Sequence, residues 1–160
     1  MYDPPMWKAF QRYRELDPEA RKLFWRAVSL LPVVARSLRV HGFQRTKEDL
    51  AKKLASGARS STLPGASAEA LKKTCRMVRA GAHYGWGNFT CLEQSLVLWY
   101  LLEKQGIPAR LRIGVRKSPE KFEAHAWVEH DGVALNQNEE VHQHYAAFES
   151  EFSVLPGENA

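Results

Sequence analysis

The 160-residue chain is poor in cysteine, with only Cys75 and Cys91. Two thiols cannot make the disulfide framework of a small secreted scaffold. There is no CxxC pair and no HExxH, and His142 and His144 at i and i+2 make a poor metal pair, so neither a zinc site nor any other cofactor is expected. No uncharged apolar run reaches the ~18 residues of a membrane span. The nearest, Leu23 to Leu38, is interrupted by Arg26, Pro32 and Arg36. The opening MYDPPMWKAF lacks the basic-then-apolar pattern of a secretory signal, which with the scarce cysteines leads to the expectation of a reducing cytoplasm. Internal repeats and low-complexity tracts are missing too. A hydrophobic content of 44% with 26% charged residues excludes bulk disorder, collagen-like repeats and a coiled-coil rod.

What is present is one domain's worth of chain, long enough to bury a real core. The net charge of +5 is uneven: residues 1–60 hold 13 Lys and Arg against 6 Asp and Glu, and the remainder holds 10 against 12. A basic first third attracts acidic peptides, nucleic acids or anionic membrane surfaces, or is simply a solvated helix surface. No groove-reading element or aromatic stacking platform accompanies it, so nucleic acid is not expected as a partner.

Asp17-Pro18-Glu19 reads as a helix start, with Asp17 as cap and Pro18 at the first position. Leu23, Phe24, Ala27, Leu30, Leu31, Val34 and Leu38 then keep helical spacing. Pro32 is expected to kink or split this helix, Gly42 to end it, and Thr46 to cap a short helix through Ala55. Gly57 to Ser67 has linker composition, and Ser67 should cap a third helix from Ala68 to about Ala80. Thr90-Cys91-Leu92-Glu93 fits a reciprocal capping box. The apolar run LVLWYLL comes next, and Gly106 with Pro108 closes a helix from Cys91 to about Gln105. Its wide apolar side implies burial on more than one face.

After Pro108 the period falls from 3.6 to 2. Leu111, Ile113 and Val115 alternate with Arg110, Arg112 and Gly114; Phe122, Ala124, Ala126 and Val128 alternate with Glu123, His125, Trp127 and Glu129. Asp131-Gly132 reads as a hairpin turn into Val133-Ala134-Leu135. Helices first and an antiparallel sheet after make an α+β class. Residues 1–66 are expected to form a basic N-terminal helical region and residues 67–160 the functional core of the same compact unit.

The capping box puts Cys91 at the first turn of a buried helix, where unpaired N–H groups and the positive end of the helix dipole favour a thiolate. The same N–H groups can hold an oxyanion during acyl transfer. His125, 34 residues later (125 − 91) on a strand whose other face is apolar, is the best base for that thiol.

The segment from Cys91 through LEQSLVLWYLL, then GIPARLRIGVR from Gly106 to Arg116, then AHAWVE from Ala124 to Glu129 with Asp131-Gly132, resembles the leader-peptidase half of the split lasso-peptide B protein. That family belongs to the transglutaminase-like superfamily. The resemblance runs from about Cys91 to Phe148 and implies a papain-like core, with the Cys-bearing helix packed on a small antiparallel sheet. It also implies a cysteine peptidase that cuts the leader from a ribosomally made precursor peptide. The implied partners are that precursor, a small leader-recognition protein and an ATP-dependent lasso cyclase. On this reading Cys91 is the nucleophile and His125 the base.

The family places an Asp about twelve residues after the histidine, where this chain has Gln137 between Asn136 and Asn138. An amide can orient an imidazole through its carbonyl oxygen but supplies no charge. Register decides which amide faces His125: a two-residue turn sets Asn138 opposite, while a three-residue turn with a Gly132 bulge sets Gln137 opposite. The bulged register is expected, because it agrees with the family position. Asp131 reads as a turn residue. Trp86 and Asn88, just before Cys91, are candidate oxyanion donors, with simple packing the alternative for Trp86. Cys75 reads as structural, and Glu123 and Glu129 as solvent-facing. The chemistry could otherwise be amide transfer, or the protein could be a degenerate peptide-binding scaffold.

Overall fold

Asp17 opens the first long helix as its residue type dictates: its carboxylate accepts the Ala20 N–H at 2.8 Å, and Pro18 occupies the first turn. The computed structural model describes residues 11, 13–57, 68–117, 122–136 and 146–147. Helix α1 spans Pro18–Ser56 and turns inward the stripe Leu23, Ala27, Leu31 and Val34. Contrary to the sequence expectation, its backbone stays helical through Pro32. That proline lies on the exposed side, where water can take the place of the lost hydrogen bond. The break falls at Gly42, whose φ of 76° and ψ of 179° suit glycine alone. Thr46 does not cap the arm beyond the break. It sits one turn inside that second arm, 2% exposed, donating to the Gly42 carbonyl at 2.8 Å and sharing a 2.8 Å hydrogen bond with Ser37 of the first arm. Those two bonds satisfy a buried hydroxyl and tie the arms across the bend.

Helix α2 spans Ala68–Tyr84, a turn longer than expected, and Ser67 and most of the linker lie outside the described residues. Gly81 lets α2 approach α1 closely: a Cβ there would stand 3.0 Å from the Ala27 Cβ and 3.3 Å from the Val28 nitrogen. Lys73 adds an ion pair to Asp17 at 3.1 Å.

Helix α3, Cys91–Lys104, has both ends written into its sequence. Glu93 accepts the Thr90 N–H at 2.6 Å and Thr90 accepts the Glu93 N–H at 3.4 Å, completing the capping box. At the other end Gly106 has a φ of 75°, and the N–H groups of Gly106 and Ile107 return to Glu103 and Leu102 at 3.0 Å each. Leu96, Val97, Leu98, Tyr100, Leu101 and Leu102 are all buried, so this helix is enclosed on several sides as its composition implies.

Among the described residues four strands form one antiparallel sheet in the order β3-β2-β1-β4: β1 Arg110–Lys117, β2 Phe122–His130, β3 Val133–Ala134 and β4 Ala146–Ala147. The short β4 has no signal in the sequence pattern. The hairpin between β2 and β3 corrects the expected register. Glu129 pairs with Ala134 and His130 with Val133, so the turn has two residues, not three with a bulge. Asp131 and Gly132 both have positive φ, 48° and 78°, which gives the twist that two-residue hairpins need. The ladder ends one pair later. Leu135 donates to the Val128 carbonyl at 2.9 Å, but the Val128 N–H goes to the Asn136 side chain at 2.9 Å.

One hydrophobic cluster joins both arms of α1 (Leu31, Leu50, Leu54), α2 (Val78), α3 and Val128 of β2. Helices followed by an antiparallel sheet that they pack against make the α+β arrangement read from the sequence. No helix among the described residues is long and apolar enough to cross a membrane.

Candidate active site

The capping box fixes the first residue of α3 as Cys91, which is half-buried. Within that first turn the Thr90 and Glu93 N–H groups are taken by the box itself. The Cys91 and Leu92 N–H groups lie in the turn where no intrahelical acceptor exists, the position that suits an oxyanion.

One turn further, Ser95 is fully buried and donates to the Ala126 carbonyl of β2 at 3.0 Å. The Asn136 side chain donates to the same Ser95 oxygen at 2.8 Å while accepting from Val128. These bonds clamp the thiol-bearing end of α3 to β2 beside His125, and the hairpin strand to both. The sequence pattern did not single out Ser95. Its signal was an isolated hydroxyl in an apolar helix, four residues from Cys91 and so on the same side.

His125 is half-buried with its Nε2 buried, stacked on Trp127 at 6.3 Å between ring centroids and 20° between planes. Its partner across the ladder is Gly114, which places no side chain against the ring. The face holding His125 is not simply solvated. Trp127 is fully buried, and Glu129, expected to face solvent, is 8% exposed. Its carboxylate accepts from Trp127 Nε1 at 2.8 Å and Arg112 Nε at 3.0 Å, and these bonds offset the cost of burying a charge. The Glu129 carboxylate thus fixes the indole on which the imidazole stacks. Glu123 takes its place in the ladder opposite Arg116.

Gln137 and Asn138, the other amide candidates, lie outside the described residues, as do His142 and His144. Asp131 is a turn residue with its carboxylate 3.3 Å from His130. Trp86 is 93% exposed between Gly85 and Gly87, which removes the alternative that it packs in the core. Asn88 is exposed on the same loop. Cys75 sits within α2, and burial pushes its thiol up to about 11, so it keeps its proton at neutral pH. Among the described residues no cluster of three or more His, Cys, Asp or Glu side chains is arranged to hold a metal ion.

No curated protein and no solved structure matches the chain. The family model for the transglutaminase-like superfamily matches residues 32–150, from the middle of α1 to beyond β4. That span takes in Cys91 at its capped helix start, His125 on the central strand and the hydrogen bonds between the two elements. The chain belongs to the transglutaminase-like superfamily.

Proposed function

We propose that this protein is a cysteine peptidase that removes the leader from a ribosomally synthesised lasso-peptide precursor. The observation that carries the reading is the capped start of α3: it presents Cys91 at the helix tip, on an element hydrogen-bonded to β2 next to His125. The family supplies the chemistry typical of such a cysteine. His125 takes the Cys91 proton, and the sulfur attacks the scissile carbonyl, forming a C–S bond as the oxygen becomes an oxyanion. The oxyanion sits at the helix tip, near the Cys91 N–H. The tetrahedral intermediate collapses, the C–N bond breaks, and His125 returns its proton to the leaving amine. Water then adds to the thioester with His125 as base, releasing a free carboxyl and the thiol.

An amide of the Asn136-Gln137-Asn138 run orients His125 in this scheme, the two-residue turn favouring Asn138 over the expected Gln137, and Trp86 and Asn88 are further oxyanion donors from the loop before Cys91. The partners are the precursor, a small leader-recognition protein and an ATP-dependent cyclase acting on the product. The absence of a carboxylate from positions 136 to 138 favours a second reading, a peptide-binding scaffold that has lost catalysis. A third product class, amide transfer, replaces water with an amine.

The test is cleavage of a lasso-peptide precursor by the full chain with its recognition protein, with products identified by mass spectrometry. The Cys91→Ala variant is expected to remain folded by circular dichroism and to lose cleavage. Undiminished cleavage by that variant overturns the peptidase reading. An intact precursor in both proteins supports the scaffold, and a product carrying an added amine supports transfer.

A further inference from the structure

Two clefts of about 590 and 610 Å³ lie between α2 and the first turns of α3. Arg76, Arg79 and Gln94 line both, so the clefts adjoin as one groove. One end runs to Leu135 and Asn136, the other to Asn88 and Phe89. Gln94 lies three residues after Cys91 and Asn88 three before it, so the groove passes beside the turn that carries the thiol.

Its charge is one-sided. Arg76 and Arg79, at i and i+3, share a face of α2 and are exposed. Three basic residues of the fold are matched by carboxylates: Lys73 by Asp17 and Glu19, Arg45 by Asp49, and Arg112 by Glu129. Among the described residues no carboxylate pairs with Arg76 or Arg79, and none lines either cleft. Guanidinium groups recognise carboxylates through paired N–H donors, and two of them in a concave wall focus a positive field on whatever occupies it.

We propose that Arg76 and Arg79 form a subsite for an acidic stretch of the peptide substrate, seating Asp or Glu side chains in the groove beside Cys91. That the occupant is a substrate rests on the peptidase reading; the groove's preference for carboxylates does not. Arg76 and Arg79 bind the acidic side chains.

The experiment measures equilibrium binding by fluorescence anisotropy, with the full-length Cys91→Ala protein so that cleavage does not intrude. The probes are two fluorescein-labelled Gly-Ala peptides that differ only in two adjacent Asp or two adjacent Asn residues. The Asp peptide is expected to bind about tenfold more tightly at low salt, and added salt should erode the difference. The double variant Arg76→Gln with Arg79→Gln, on an exposed helix face, should keep its circular dichroism and bind both peptides alike. Equal binding by the parent, or a preference that survives in the double variant, overturns the subsite. Cleavage is scored separately. Carboxylate preference without cleavage of a precursor leaves the subsite standing and the peptidase reading fallen; cleavage without carboxylate preference does the reverse.

Discussion

Cys75 and Cys91 are the same residue in different surroundings. Cys91 begins a helix and Cys75 lies inside one, where burial holds its thiol protonated up to about pH 11. Alkylation with iodoacetamide at pH 8, read out by peptide mapping, should therefore label Cys91 and spare Cys75. Cys75 labelling should rise only as the pH approaches 11. Its folded value exceeds the ordinary 9.0, so the folded state binds this proton more tightly. The matching contribution to stability is complete below about pH 9 and is lost as the pH rises towards 11. Both cysteine positions were legible in the sequence, because a capping box and a mid-helix position are local facts. The burial of Glu129 was not. An alternating strand says which residues share a face, not what will cover that face, and the partners Arg112 and Trp127 come from strand pairing and from the strand itself.

At the scale of elements, the start of α3 is the most sequence-determined feature and the easiest to perturb. Thr90→Ala removes the acceptor for the Glu93 N–H and should cost about 1 kcal/mol, lowering Tm by roughly 2–4 °C in a chain of this size, measured by thermal unfolding. The α1–α2 crossing is set by contact rather than by local preference. Gly81→Val places a side chain where a Cβ already meets Ala27 at 3.0 Å, and overpacking there should cost about 1–3 kcal/mol in urea denaturation. Elements whose signals admit two outcomes differ from the sequence expectation. Pro32 was compatible with a kink, but on the exposed side the helix carries it, and Gly42 takes the bend. Thr46 suited a cap, yet the Ser37 hydroxyl nearby made it a tie between two arms. Asp131-Gly132 serves two-residue and bulged turns equally, and the twist of β2 against β3 selected the former.

At the scale of the molecule, α1 is held to α2 at both levels of chemistry, by the apolar contacts of Ala20 and Leu23 with Met77 and by Lys73 reaching Asp17. The Ala20 N–H, and after it Lys73, hold the Asp17 carboxyl below its ordinary value. A depressed folded value stabilises the fold above the unfolded value of 3.8 and loses that contribution as the pH falls through the folded one. Asp17→Asn should therefore melt lower than the parent at pH 7, and the difference should narrow as the pH drops below 3.8. A gap that stays constant into acid would separate the cap from the charge.

By itself the amino-acid order determined the start of α1, both ends of α3, the class of fold, and the family to which the Cys91 and His125 segments belong. Those properties rest on hydrogen bonds between residues three or four apart and on hydrophobic period, which the chain carries wherever it goes. Only the tertiary structure decided that Ser95 meets Ala126, that Asn136 ends the hairpin ladder on that same serine, and that Arg76 and Arg79 border a groove next to the thiol. Each of these joins groups that lie dozens of residues apart or on separate elements. Whether such groups meet depends on how the chain returns to itself, and short-range pattern contains no term for that.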